Sequence, residues 1–307
     1  MIRFILIRLV QTIIALFGIS ILIFGLVRLS GDPILMMITP LSTPDQIAAL
    51  KAKYGVDKPA AVQYFVFMDN LFHGDLGQSI AYNRPVAGMI GQAVPNTLRL
   101  ALLAFVIGML LAVLLGVLAA TRRDTWLDQG VKFLAVLGQA LPGFWVAIMG
   151  IFVLSVHWEL LPPSGMGNWT NYVLPVGTIA FFLLPGMMRL VRSSMLDVLD
   201  SEYVKLARIK GLPERTVIWK HALRNAMIAP LTTAGMILAT LITGEVIIET
   251  VFAWPGVGRL LVDAMQGRDF PVVQGVVLMI ALIVLFVNLL VDILYAYVDP
   301  QIRYQST

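Results

Sequence analysis

No cysteine occurs among the 307 residues, which excludes disulfides, thiolate metal sites and a cysteine nucleophile and leaves redox compartment unreadable from thiols. Charge is almost as scarce: 13% of residues are Asp, Glu, Lys or Arg, 59% are hydrophobic, and mean hydropathy is +0.86. An ordinary soluble domain does not carry that balance, so the chain reads as an integral membrane protein. Signatures of catalysis and phosphate binding are missing as well. There is no H-E-x-x-H, no G-x-S-x-G, no Ser/Lys pair at catalytic spacing on a predicted helix and no G-x-x-x-x-G-K-[ST] loop. Neither an intramembrane enzyme nor a chain that energises itself with ATP finds support. The histidines, His73, His157 and His221, lie far apart and do not read as a metal cage. A net charge of +4 could suggest nucleic acid, but in a membrane protein basic residues mark cytoplasmic loops, and no nucleic-acid partner is expected.

What is present is a series of six uncharged runs, at residues 9–27, 100–120, 133–156, 160–188, 226–244 and 272–291. At about 1.5 Å per residue each is long enough to cross a hydrocarbon core of about 30 Å. The fourth is long because it includes a loop before its helix. Arg3 and Arg8 precede the first run like a signal-peptide n-region, but the apolar stretch is too long and no small-x-small cleavage site follows, so an uncleaved helix is expected. Gly31-Asp32-Pro33 breaks it and opens a polar segment, 30–96, punctuated by prolines up to Pro95. Within that segment Thr43-Pro44 starts a short helix running to about Tyr54, and residues 62–72 form a second, apolar enough to lie on the bilayer surface. Pro142, Pro175, Pro185 and Pro230 lie in or beside the spans, where they kink helices.

Basic residues set the orientation. Residues 121–132 hold Arg122, Arg123 and Lys132, and 189–224 hold Arg189, Arg192, Lys205, Arg208, Lys210, Arg215, Lys220 and Arg224, whereas 157–172 hold none. Both termini are therefore expected in the cytoplasm and the 30–96 segment outside, its Lys51, Lys53, Lys58 and Arg84 weighing little because long translocated segments escape the rule. The expected division is 1–29 as cytoplasmic N-terminus and first span, 30–96 as extracytoplasmic segment, and 97–307 as a five-helix core with a cytoplasmic loop at 200–230.

That loop reads as helix, glycine turn, helix. Asp200 or Ser201 is a plausible N-cap, Glu202 suits the first turn and Gly211 the C′ position. Pro213 with Glu214 starts the next helix. Helical spacing puts Tyr203, Leu206, Ala207 and Lys210 on one stripe and Lys205 and Arg208 on the other side. A helix this short needs something to pack on. The bundle itself, anionic lipid and a soluble subunit compete, and the small Ala207 and Gly211 favour docking in a protein groove. Ser193 and Ser194 before Asp197 read as capping or fraying a helix end.

The stretches Glu202 to Leu212 (EYVKLARIKGL) and His221 to Pro230 (HALRNA-x3-P) resemble the coupling loop of the inner-membrane permeases of ABC importers for dipeptides, oligopeptides and nickel. The resemblance spans the chain: Gly31-Asp32-Pro33, Gly74-Asp75-Leu76-Gly77-Gln78-Ser79, Arg122-Arg123-Asp124-Thr125-Trp126-Leu127-Asp128, Phe252-Ala253-Trp254-Pro255-Gly256-Val257-Gly258 and Arg268-Asp269-Phe270-Pro271 occur in order. The broader permease pattern has Glu-Ala-Ala before the glycine and Leu-Pro after it. Here Lys205-Leu206-Ala207 and Leu223-Arg224 stand there, Glu202 is displaced and proline comes only at Pro230, as in the peptide-type subfamily.

The resemblance implies an all-α, six-span permease of the type I importer fold with a long external segment after helix 1, forming half of a pathway for short peptides or a peptide-like solute, a nickel chelate or glutathione included. It implies a homologous second permease subunit, two cytoplasmic ATPase subunits that hold ATP and Mg, an extracytoplasmic solute-binding protein, surrounding membrane lipid, a cytoplasmic (inner) membrane location, and no cofactor on this chain. Glu202, Tyr203, Ala207, Arg208, Lys210, Gly211 and Leu212 are its expected ATPase contacts. Glu245 and Glu249 sit at the outer membrane boundary, where a carboxylate lines a cavity, meets a peptide amino terminus or cation, or closes a structural ion pair. Trp254 and Pro255 belong to an outer turn that either caps the pathway or closes a loop. A self-sufficient secondary transporter would show broken helices with paired ionisable groups and internal repeats; a membrane scaffold would show no solute flux.

Overall fold

Backbone amides in hydrocarbon have no water to bond, so an apolar chain satisfies them within helices. A computed structural model of the chain describes residues 2–30, 43–46, 48–49, 57–242 and 245–298. Its elements are α1 (Ile2–Ser30), α2 (Ala60–Phe72), α3 (Val86–Thr121), α4 (Trp126–Ala140), α5 (Gly143–His157), α6 (Thr170–Leu199), α7 (Glu202–Ile209), α8 (Glu214–Ala226), α9 (Ile228–Ile242), α10 (Val246–Val251), α11 (Val257–Gln266) and α12 (Phe270–Val298). The last part of α5, Ile151–His157, and the middle of α8, Val217–Ala222, are π-helical. The described residues contain no strand, only an isolated bridge between Gln78 and Pro85.

Among the described residues four helices are long and apolar enough to cross a membrane, and the number reaches six if each of two bent pairs is one span. The third run, 133–156, is interrupted at Pro142 more sharply than by a kink. Pro142, with no N–H to continue the ladder, separates α4 from α5 at an angle of 104°. The fifth run begins earlier than expected, with α8 and α9 meeting at 56° two residues before Pro230. Pro175 and Pro185 lie inside α6 without ending it. Ser193 and Ser194 are interior to α6, which runs on to Leu199. Gly31-Asp32-Pro33 lies outside the described residues, as do 50–56 of the expected helix starting at Thr43. The start of that helix is as expected: Gln46 N–H donates to Thr43 Oγ1 at 3.3 Å and Thr43 N–H to Gln46 Oε1 at 3.0 Å, a reciprocal cap.

The chain forms two compact units, Met1–Asn96 with Pro255–Thr307, and Thr97–Trp254. In the first, α2 lies on α1 through Ser20 Oγ and Tyr64 OH, 2.8 Å apart, and through Phe24 edge-on to Tyr64. The first turns of α3 also belong here, so residues 86–96 of the expected polar segment are helical. Val86, Ile90 and Ala93 recur at helical spacing and pack on Val257, Ala264, Val272 and Val276, so burial of that stripe overrides the Gly, Gln, Asn and Pro around it. The buried Asp269 clasps the 74–82 turns, accepting from Ser79 Oγ and from the N–H groups of Ile80 (3.1 Å) and Ala81 (3.2 Å).

The second unit is built on α6, whose Pro185, Met187, Met188, Val191 and Met195 are buried. Two glycines let neighbouring helices approach it. A Cβ on Gly116 of α3 would stand 2.8 Å from the Val191 side chain, and one on Gly138 of α4 would meet the Pro185 ring. Gly116→Leu is expected to force α3 off α6 and to cost about 1–3 kcal/mol by overpacking. Thermal unfolding of the detergent-solubilised chain reads this as a lowered Tm, and an unchanged Tm contradicts the close packing.

Candidate functional site

The sharpest local feature is α7 and the turn that ends it. Ser201 occupies the N-cap with φ −72° and ψ 150°, but its hydroxyl donates to the Val198 carbonyl rather than capping the helix. Glu202 follows in the first turn and pairs with Lys205 at 2.8 Å, holding that ammonium above its ordinary pKa. At the other end Gly211 has φ +76°, Gly211 N–H donates to Arg208 O at 2.9 Å and Leu212 N–H to Ala207 O at 3.3 Å. That is the Schellman closure, and its left-handed residue is the expected glycine.

Two side-chain staples tie α7 to α8. The Arg208 guanidinium donates to both Glu214 carboxylate oxygens, at 2.9 and 3.3 Å, and the pair raises the Arg208 pKa. Asn225 Nδ2 donates to Tyr203 OH at 2.8 Å. A third tie is apolar: Val204 and Ala207 are buried with Val117 and Ala120 of α3, Val191 and Met195 of α6, and Val217, Ala222 and Ala226 of α8.

The stripe expected from helical spacing therefore divides. Ala207 faces the chain's own bundle with Val204, while Tyr203, Leu206, Ile209 and Leu212 face out, Ile209 at 81% exposure. Lys210 is the C-cap, and the space beside Gly211 is open. Arg208 is directed across the turn to Glu214. Ile209 does not stand out in the sequence, and Glu214 does so only as a helix start and not as the partner of Arg208; the Val204-x-x-Ala207 spacing is the signal for the buried face.

The bundle below α7 is fixed by a buried carboxylate. Asp128, in the first turn of α4, is fully buried and accepts from Arg192 Nε and Nη2 at 2.7 and 2.9 Å, from Lys132 at 2.9 Å and from Asp124 N–H at 3.1 Å. Arg192 follows Val191 on α6, so the pair anchors α4 to the helix on which α7 rests.

The residues expected near the pathway separate. Glu249 is fully buried and accepts from Thr97 Oγ1 at 2.6 Å. Its carbonyl accepts from Trp254 N–H at 2.7 Å, and the Trp254 ring is buried edge-on to Tyr172 with centroids 4.6 Å apart. Both are core groups. Glu245, the residue before α10, is the carboxylate that lines an otherwise largely apolar cavity of about 390 Å³ formed with Gly143, Phe182, Gly186, Ile237 and Thr240. Pro255 belongs to the other unit, its carbonyl accepting from Asn96 Nδ2 at 2.9 Å. Among the described residues no group of three or more His, Asp or Glu is placed to hold a metal ion.

An all-helical membrane chain of this build has the fold of a transporter's membrane subunit. It shares that fold with a chain in the crystal structure of an amino acid ABC transporter with histidines, at a TM-score of 0.55 and 14% identity over 67% of this chain and 92% of that one. Sequence comparison makes the family explicit. The description "Binding-protein-dependent transport system inner membrane component" matches residues 112–304, and its N-terminal companion matches residues 1–101. The chain belongs to the binding-protein-dependent transport system inner membrane components. Similar relatives include a putative peptide transport system permease protein of Brucella abortus (strain 2308), 40% identical over 306 residues and covering 97% of this chain and 98% of the relative. The dipeptide transport system permease proteins DppB are close behind: that of Escherichia coli K12 is 38% identical over 339 residues with both chains fully covered, and that of Lactococcus lactis subsp. cremoris is 39% identical over 305 residues, covering 99% and 100%.

Arg192→Leu is expected to destabilise the chain by about 3 kcal/mol, because it leaves the buried Asp128 with Lys132 as its one charged partner. Denaturation in detergent should show Asp128→Leu/Arg192→Leu to be less destabilised than the single variant; equal loss in both contradicts a buried-charge origin.

Proposed function

We propose that the chain is one of two permease subunits of an ATP-driven importer of short peptides, with α7 as the element that receives motion from a cytoplasmic ATPase. The observation that carries this reading is the outward face of α7: Tyr203, Leu206, Ile209 and Leu212 are apolar or aromatic, exposed, and held on a helix stapled at both ends. Such a cluster on a short rigid helix suits a protein socket. Glu202 and Lys210 flank it as charged contacts, Gly211 supplies the turn, and Ala207 and Arg208 act from behind by holding the helix in place. ATP and Mg belong to the separate ATPase subunits, two of them, and a homologous second permease and an extracytoplasmic solute-binding protein complete the assembly. Family membership supports the partners, and the peptide and dipeptide permeases among the relatives support the substrate class.

The distribution of Lys and Arg supports a multi-pass arrangement with both termini in the cytoplasm and 30–96 outside. ATPase closure would then push α7 and, through α6, shift the bundle between inward-open and outward-open states. Glu245, on its apolar cavity, is assigned to meet the amino terminus of a passing peptide. Trp254, Glu249 and Pro255 serve as supports of the outer turn.

Ile209→Glu and Leu206→Glu should abolish co-purification with the ATPase and ATP-dependent peptide uptake while leaving the Tm nearly unchanged, since surface substitutions cost within about 0.5 kcal/mol. Ala207→Glu should instead unfold the loop. Retained co-purification in both surface variants, or undiminished flux through the chain alone in ATP-free proteoliposomes, overturns the reading.

A further inference from the structure

Arg99 and Arg122 stand at the two ends of an uncharged stretch of α3, residues 100–121. At about 1.5 Å per residue that stretch matches the thickness of the hydrocarbon core, so each arginine lies at a membrane interface. Arg99 opens onto a groove of about 590 Å³ that it lines together with Leu102, Leu103, Trp169 and Tyr172. Trp169 is 76% exposed, and Tyr172 is held by its edge-on contact with the buried Trp254. Below Arg99 on the same helical face, Leu103, Val106 and Leu110 are all exposed, a track of apolar side chains that runs on toward the membrane centre. Among the described residues Arg99 has no ion-pair partner.

We propose that this groove binds one membrane phospholipid. Its phosphodiester sits on the Arg99 guanidinium, whose planar fork matches phosphate oxygens. Its glycerol region lies between Trp169 and Tyr172, rings of the kind that settle at headgroup depth. One acyl chain follows Leu103, Val106 and Leu110. A lipid fits better than a protein surface because the polar handle is a single cation at interface depth, with nothing but hydrocarbon and aromatic faces beneath it.

The test uses the full-length chain in detergent with added phosphatidylglycerol, whose binding is counted by native mass spectrometry. Arg99→Gln is expected to weaken the tightest bound lipid about tenfold, the loss of one charge-assisted contact. Arg99→Lys should retain most of it and Arg122→Gln should leave it unchanged. Because the chain has no cysteine, a fluorophore on Leu103→Cys is a unique reporter, and phosphatidylglycerol brominated on its acyl chains should quench it in the assembled transporter. Equal retention by wild type and Arg99→Gln overturns the proposal. So does a reporter at 103 that brominated lipid cannot reach, which would place a protein subunit over the groove.

Discussion

The packing of Val204 and Ala207 against the ends of α3, α6 and α8 is the contact on which the cytoplasmic side of this chain depends. Eight residues of helix have little stability of their own in water, so α7 depends on these helices to hold it. Ala207 carries only a methyl group, so α7 lies close to the bundle. Once it is seated there, Arg208 reaches Glu214 and Tyr203 reaches Asn225. The inward face makes the loop part of the bundle, and the outward face is left apolar and rigid. Under the proposed function that division matters, because a load applied at Ile209 has to move α6 before it can bend the loop.

Solvent is the second constraint. Helices in hydrocarbon keep their backbone bonds unless something else answers for them, and this chain breaks at few places. Pro142 and the 226–228 junction bend the third and fifth spans, and π-helical stretches follow or precede those bends. Charge is treated the same way. Asp128 is buried with Arg192, Lys132 and an N–H around it, and Glu249 with the Thr97 hydroxyl against it. Glu245 differs in lining a cavity.

Much of this was legible in the sequence where a single residue type has one physical use. Gly211 predicts the left-handed turn, Pro213 the following helix start and Thr43-Pro44-Asp45-Gln46 a capped N-terminus, and each holds. The uncharged runs give the spans to within their ends. Legibility failed where tertiary packing decides. Val86, Ile90 and Ala93 form a buried stripe whose partners lie more than 150 residues away, so the helical start of α3 could not be read from its Gly, Gln, Asn and Pro. Spacing alone did not say which side of α7 meets the bundle, because Val204 and Leu206 are both aliphatic and only the surroundings distinguish them. For Trp254 and Glu249 the sequence left a pathway role and a structural one open; that Trp254 N–H reaches the Glu249 carbonyl, and that the side chains meet Tyr172 and Thr97, depends on distant chain.

The most direct test of the coupling role of α7 places a single cysteine by Ile209→Cys in this cysteine-free chain, labels it with a maleimide that carries a photoreactive benzophenone, whose excited ketone inserts into C–H bonds of whatever lies against it, and irradiates the chain with and without its ATPase. The account predicts a covalent adduct with the ATPase that forms in the assembled transporter and changes in yield when ATP is added. Labelling at position 209 that is the same with and without the ATPase, with no adduct formed, would contradict it.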